Sequence, residues 1–265
     1  MGLCITDAHC HLDFPVFDAE RALLLDQARA LGVKRFILPA TQAIYWPRLL
    51  DLAQQHQDCW VCLGLHPYWM ATHQQSDLQA LDQLIQAQKA RTPATRLVAI
   101  GEIGIDLSTP ELQAQEARQW SFLDAQLALA KRYDLPVVLH VRQALDRVIQ
   151  RLRRAALPRA GLIHAFSGSV QQAQQLVDLG FSLGLGGALT YPRAQKLRRV
   201  ATTLPASAFL LETDSPDMPL CGFQGQINTP AQLVRVLDCW ATLRSEPASV
   251  LAALVEQKVD QLFFD

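Results

Sequence analysis

Short apolar runs rich in β-branched residues alternate with longer amphipathic stretches from one end of this chain to the other, and that rhythm limits the fold more than any other feature. Strand, helix and strand again is the unit of a parallel sheet. Eight runs read as strands, at residues 5–9, 35–40, 61–65, 97–101, 136–141, 161–165, 181–186 and 209–213. Helical patterns lie between and after them, among them 19–31, 111–133, 170–179, 230–243 and 247–263. The strands are apolar nearly throughout, as strands covered on both faces are. Eight of them, each trailed by a helix, predict an α/β fold of the (β/α)8 TIM barrel class with an additional C-terminal helix, in preference to a doubly wound open sheet. No repeat, low-complexity segment or composition break marks a linker, so residues 1–265 read as a single barrel domain.

Charge narrows the function. Lysine and arginine number 24 against 25 acidic residues, a net charge of −1, which removes the basic excess of a protein that coats nucleic acid. Any nucleic-acid contact must then be local. The chain starts without a leader-like pattern and has no run of about 18 apolar residues, so the expectation is a cytoplasmic protein with no membrane partner. Its six cysteines are scattered. The one close pair, Cys59 and Cys62, lacks a second pair to complete a zinc site and reads as buried thiols.

Ionisable residues gather where the strands end, the face on which barrel enzymes carry their chemistry. Strand one runs into Asp7-Ala8-His9-Cys10-His11, strand three into Gly64-Leu65-His66-Pro67, and strand four into Gly101-Glu102-Ile103-Gly104. Strand five ends in His140-Val141-Arg142, strand six in His164-Ala165-Phe166, and strand eight in Glu212-Thr213-Asp214. His9 and His11, two apart on extended chain, leave the same side and can converge on one ion. A carboxylate such as Glu102, directly after an apolar run, is costly to bury unless it meets a cation or strong donors. Singly, each has an ordinary reading: a core histidine, a salt bridge, or a turn cap for Asp214. Together, four imidazoles and two carboxylates exceed the needs of one four-coordinate ion and suit two divalent cations sharing a carboxylate. Such a site hydrolyses esters, amides or phosphoesters.

The motifs Asp7-Ala-His-Cys-His-Leu-Asp13, Gly64-Leu-His-Pro67, Gly101-Glu-Ile-Gly-Ile-Asp106, His140-Val-Arg142, His164-Ala-Phe-Ser-Gly168 and Glu212-Thr-Asp-Ser-Pro216 resemble, in order, the signatures of the TatD family of metal-dependent hydrolases and deoxyribonucleases. The stretch from Asp214 to Gln226 resembles its YjjV-type branch, and the match runs from about residue 6 to 264. The resemblance implies that His9, His11 and Asp214 bind a first metal, that Glu102 bridges two, and that His140 and His164 bind the second, with Mg, Mn or Zn as candidate ions. It implies hydrolysis of DNA or another phosphoester, with 3′→5′ exonuclease action in some members, by a chain expected to be a monomer. Asp214 is by position the general base, and Glu212 orients the attacking water or a ligand. His66 and Arg142 are expected to donate to substrate phosphate oxygens. Arg147, Arg151, Arg153 and Arg154 share one helical pattern and read as a solvated face. Leu107-Ser108, Gln143 and Lys258 depart from the family pattern without touching a metal ligand, and they bear on substrate preference. The same scaffold also suits an aminoacyl ester such as D-aminoacyl-tRNA, a small amide or a lactone. A catalytically idle binding protein would have no need of six convergent ligands.

Overall fold

A computed structural model describes residues 3–91 and 96–265. Along the chain run β1 (Ile5–Asp7), α1 (Arg21–Ala30), β2 (Val33–Pro39), α2 (Trp46–Gln55), β3 (Cys59–Leu63), α3 (Gln75–Lys89), β4 (Leu97–Asp106), α4 (Pro110–Gln113) and α5 (Glu116–Tyr133). There follow β5 (Val137–Arg142), α6 (Leu145–Ala155), β6 (Gly161–Ile163), α7 (Val170–Asp178), β7 (Ser182–Leu185), α8 (Gln195–Thr203), β8 (Phe209–Leu211), α9 (Leu233–Arg244) and α10 (Ala248–Phe263). The eight strands form one parallel sheet in the order β1 to β8, the expected (β/α)8 barrel. Contacts among the described residues divide into two compact units, one of the chain up to Leu38 with His164–Asp265, the other of Pro39–Ile163.

In the first unit, Ala8 N–H donates to Leu211 C=O at 2.9 Å, so the chain leaving β1 is held by β8. Trp240 on α9 is fully buried, packs edge-on to Phe209 at 5.5 Å between centroids and donates to Ala201 C=O at 2.9 Å. The expected additional helix is α10. Its Glu256 accepts from Thr6 N–H at 2.6 Å and Thr6 Oγ1 at 2.8 Å, and pairs with Arg35 at 2.6 Å. Arg35 also reaches Asp260 at 2.5 Å and lies over the Phe264 ring at 4.7 Å. These contacts fasten the end of the chain beneath β1 and β2. Expected strands one, six and eight each stop two residues early, at Asp7, Ile163 and Leu211. Beyond these points the backbone leaves the sheet to aim side chains, with left-handed φ at Ala165 (46°) and Asp214 (56°).

The second unit departs most in β4, expected to end at residue 101 and found to continue to Asp106 with every residue buried. Its register against β5 shifts between Ile100 and Ile103, after which Ile103 to Asp106 pair with Leu139 to Arg142. Glu102 therefore lies within a strand, on an irregularity of the kind that re-aims a side chain. Gly104 makes the continuation feasible. Its φ is +143°, and a Cβ there would lie 1.9 Å from His140 O. The helical pattern 111–133 is two helices, broken at Gln115 (φ −102°, ψ 12°). No glycine or proline marks the break. Buried Gln119 holds it, donating to Leu112 O and Asp106 O, each at 2.9 Å, and accepting from Asp106 N–H at 2.8 Å. The pattern 230–243 likewise opens as a 3-10 turn, Pro230–Gln232, before α9.

Cys59 and Cys62 are buried and in no disulfide, as expected of buried thiols, and burial pushes the Cys62 thiol far above its ordinary range. On α6, Arg147 pairs with Glu116 and Arg151 with Asp124 at 2.9 Å, both guanidiniums lying over Trp120. Among the described residues no helix is long and apolar enough to cross a membrane. Gly104→Ala should destabilise the chain by at least about 3 kcal/mol in urea unfolding, since the added carbon must displace strand backbone. An unfolding midpoint equal to the parent's would contradict the role given to this glycine.

Candidate metal centre

In the first unit the chain bends at Ala8 and His9 as it leaves β1, and its N–H groups then bond to either side. Cys10 donates to Ile37 O at 3.1 Å, while His11 donates to Ser215 O at 2.8 Å. His9 and His11 converge despite the bend. Their Nε2 atoms lie 3.2 Å apart, and each is 3.5 Å from Asp214 Oδ1. Asp214 is brought there by Asp7, whose fully buried carboxylate accepts from Thr213 N–H at 3.0 Å and Thr213 Oγ1 at 2.6 Å. His9 O closes the arrangement by accepting from Asp214 N–H at 2.9 Å. Burial raises the Asp7 carboxyl to about 7 against these hydrogen bonds, with the Glu212 charge adding to the rise. Burial also resists ionisation of Asp214, but His164, His11 and His9 outweigh it and hold that carboxyl below its usual range. His164 stacks on His9 at 3.8 Å, and its Nδ1 faces Glu212 Oε1 at 3.3 Å. Glu212 also accepts from Ala165 N–H at 2.6 Å, in space left by Gly184, where a Cβ would meet Oε2 at 2.4 Å. Phe14 stacks on His11 at 4.8 Å and, with Val16, Pro216, Asp217 and Ile227, lines an adjoining hollow of about 510 Å3.

In the second unit, His66, Glu102 and His140 converge. Tyr68 N–H donates to His66 Nδ1 at 3.1 Å, which leaves the ring proton of neutral His66 on Nε2, 3.0 Å from Glu102 Oε1. His66 is therefore a donor here, with neither nitrogen offering a lone pair. His140 is arranged in the opposite sense. Its Nε2 meets Asp106 Oδ2 at 2.9 Å and its Nδ1 faces Glu102 Oε1 at 3.2 Å. Burial resists ionisation of Asp106, yet the His140 and Ser108 hydrogen bonds keep its carboxyl far below the usual range. With the Nε2 proton directed at ionised Asp106, the Nδ1 lone pair confronts a carboxylate oxygen. Two such electron-rich atoms share a space well only when a proton or cation lies between them. The same holds for the two imidazoles and carboxylate of the first cluster. Both donor sets, imidazole nitrogen with carboxylate oxygen, thus fit a divalent cation. Arg142 ends β5 exposed and makes no ion pair with a described residue.

The model of the family described as TatD related DNase matches residues 6–264. The chain belongs to that family. It is a metal-dependent hydrolase of the TatD type, and among its relatives is the metal-dependent hydrolase YjjV of Escherichia coli K12, 47% identical over 257 residues, which are 97% of this chain and 96% of that one. The crystal structure of that TatD homologue superposes with a TM-score of 0.93 at 46% identity, covering 98% of this chain and 97% of the other. A protein of Pantoea ananatis named 3′-5′ ssDNA/RNA exonuclease TatD is 31% identical over 97% of this chain and 98% of its own length.

Sequence reasoning found the ligand candidates but passed over Asp7, Asp106 and Thr213. Asp106 carried a signal, since it follows Glu102 by four residues on one strand and so shares its side. Asp106→Asn should keep the fold yet weaken cation binding at the Glu102–His140 cluster about 10- to 100-fold in calorimetric titration, because the imidazole loses the charge that fixes its tautomer. Unchanged affinity would reduce Asp106 to a packing role.

Proposed function

We propose that this TatD-family chain is a phosphodiesterase acting on single-stranded nucleic acid, with one divalent cation held by His9, His11 and Asp214 and a second held by Glu102 and His140. The observation that carries the reading is the pair of imidazole–carboxylate clusters, each fit for a cation. Cations there supply the positive charge that polarises a phosphoryl oxygen and acidifies water. Asp214, kept ionised beside His9 and His11, accepts the proton of the attacking water as its oxygen bonds to phosphorus and the bond to the departing ester oxygen breaks, that oxygen leaving as an alcohol after taking a proton from solvent. His66, whose Nε2–H rests on Glu102 Oε1 at 3.0 Å, would turn it to a substrate oxygen once that carboxylate held a cation, and Arg142 supplies its unpaired guanidinium to another. Glu212 Oε1 lies 3.3 Å from His164 Nδ1 and limits how that ring can turn, which leaves Nε2 for a ligand role.

Nucleic acid is favoured over a compact ester by the ground around His66. Tyr68 and Trp69 stand 56% and 37% exposed, edge to face at 5.4 Å, directly after Pro67. Exposed aromatic pairs of this kind give unpaired bases a stacking surface. Trp69→Ala should raise KM for a single-stranded oligonucleotide about tenfold and leave turnover of a small phosphodiester unchanged. Equal losses on both substrates would remove the stacking role.

Metal-stripped chain should cleave neither single-stranded DNA nor a small phosphodiester, and adding Mg, Mn or Zn should restore cleavage. Glu102→Ala, whose carboxylate the family resemblance assigns to both ions, should lose both equivalents of metal together with activity. Asp214→Asn should cost at least about 100-fold in rate while losing no more than one equivalent. Chain shown to hold two equivalents yet inert on both phosphodiesters would turn the assignment to an aminoacyl ester or amide.

A further inference from the structure

A cavity of about 960 Å3 lies against α8; its lining shares no residue with either cluster and contains three cationic side chains and no carboxylate. Leu197, Val200 and Ala201 form the buried face of α8. Its other face turns Lys196, Arg198 and Arg199 into the cavity, with Thr202 one turn further on. None of the three cations makes an ion pair with a described residue, and Arg198, whose guanidinium meets the Cys239 thiol, keeps Nε enclosed without a hydrogen-bond partner among those residues. A buried guanidinium nitrogen without an acceptor is costly, and an anion entering the cavity would supply one. The opposite wall is the first turn of α7, whose Ser169 hydroxyl caps Gln172 N–H at 3.2 Å. The positive end of that helix adds to the field of the three side chains.

This concentration of charge stands out in a chain of net charge −1. The longer arginine run on α6 is largely neutralised, with Arg147 on Glu116 and Arg151 on Asp124. The α8 cations stay uncompensated and fan out from a single turn of the helix, Lys196 to Arg199, into a cleft of about 960 Å3. A cleft of that size has room for several nucleotide phosphates, where one compact anion would fill only a small part of it. Ser169 ends the loop that leaves His164, so a strand lying in the cavity would be led toward that histidine.

We propose that the α8 groove is an exosite for the phosphate backbone of single-stranded nucleic acid, a proposal that rests on the phosphodiesterase reading for its choice of polyanion. The test uses metal-loaded chain, a fluorescent phosphorothioate oligothymidylate that resists cleavage, and the exposed-residue double variant Lys196→Ala with Arg199→Ala. Binding to the double variant should weaken about tenfold, and its logarithmic salt dependence should fall by about 1.4, the loss of two contacts to a single strand. Turnover of a small phosphodiester should not change. Equal affinity and equal salt dependence in parent and variant would overturn the exosite. So would displacement of the oligonucleotide by millimolar inorganic phosphate at constant ionic strength, which would make the groove a pocket for a single anion. If binding depends on Lys196 and Arg199 while no phosphodiester is hydrolysed, the groove stands and the catalytic reading fails.

Discussion

Imidazoles and carboxylates at the strand ends of this barrel are largely withdrawn from water, and a folded chain holds them there only when each charge or lone pair has something to meet. Asp7 meets Thr213, His140 meets Asp106, and His164 meets Glu212. These are protein partners for the outward half of each group. The inward half, where His9, His11 and Asp214 converge and where His140 faces Glu102, is an excess of electron pairs. The fold positions that excess, and the chemistry follows from it.

The two clusters solve the problem differently. In the first, hydrogen bonds between loops place the ligands: Asp7 fixes Thr213, and Asp214 then bonds back to His9 O at 2.9 Å. In the second, placement is strand-borne, with Glu102 on the irregular stretch of β4 and His140 on its neighbour β5. Loop-borne ligands adjust readily to an incoming ion, whereas a side chain aimed by a strand irregularity is set before any ion arrives. His66 completes the second cluster as a donor, because the Tyr68 N–H has already taken its other nitrogen.

The barrel was legible because strands buried on both faces cannot hide their apolar runs, and the His9–His11 pair was legible from its spacing at a strand end, although the chain bends at Ala8 and His9 to bring the rings together. The continuation of β4 past residue 101 was not, since it depends on Gly104 fitting against His140 O, a contact between residues 36 positions apart. Nor was the break at Gln115, which no glycine or proline announces and which buried Gln119 maintains from the following helix. Asp7 and Asp106 read as members of motifs, and only their neighbours Thr213 and His140 reveal that they position other groups. The buried Cys59 and Cys62 were read correctly from the lack of a second cysteine pair.

The central claim is that both clusters hold a cation. Anomalous scattering at the manganese edge from crystals grown with Mn tests it most directly. The account predicts one peak bounded by His9, His11 and Asp214 and another bounded by Glu102 and His140. A peak at neither cluster in crystals of active enzyme, or a peak bonded to His66 Nε2, would contradict it.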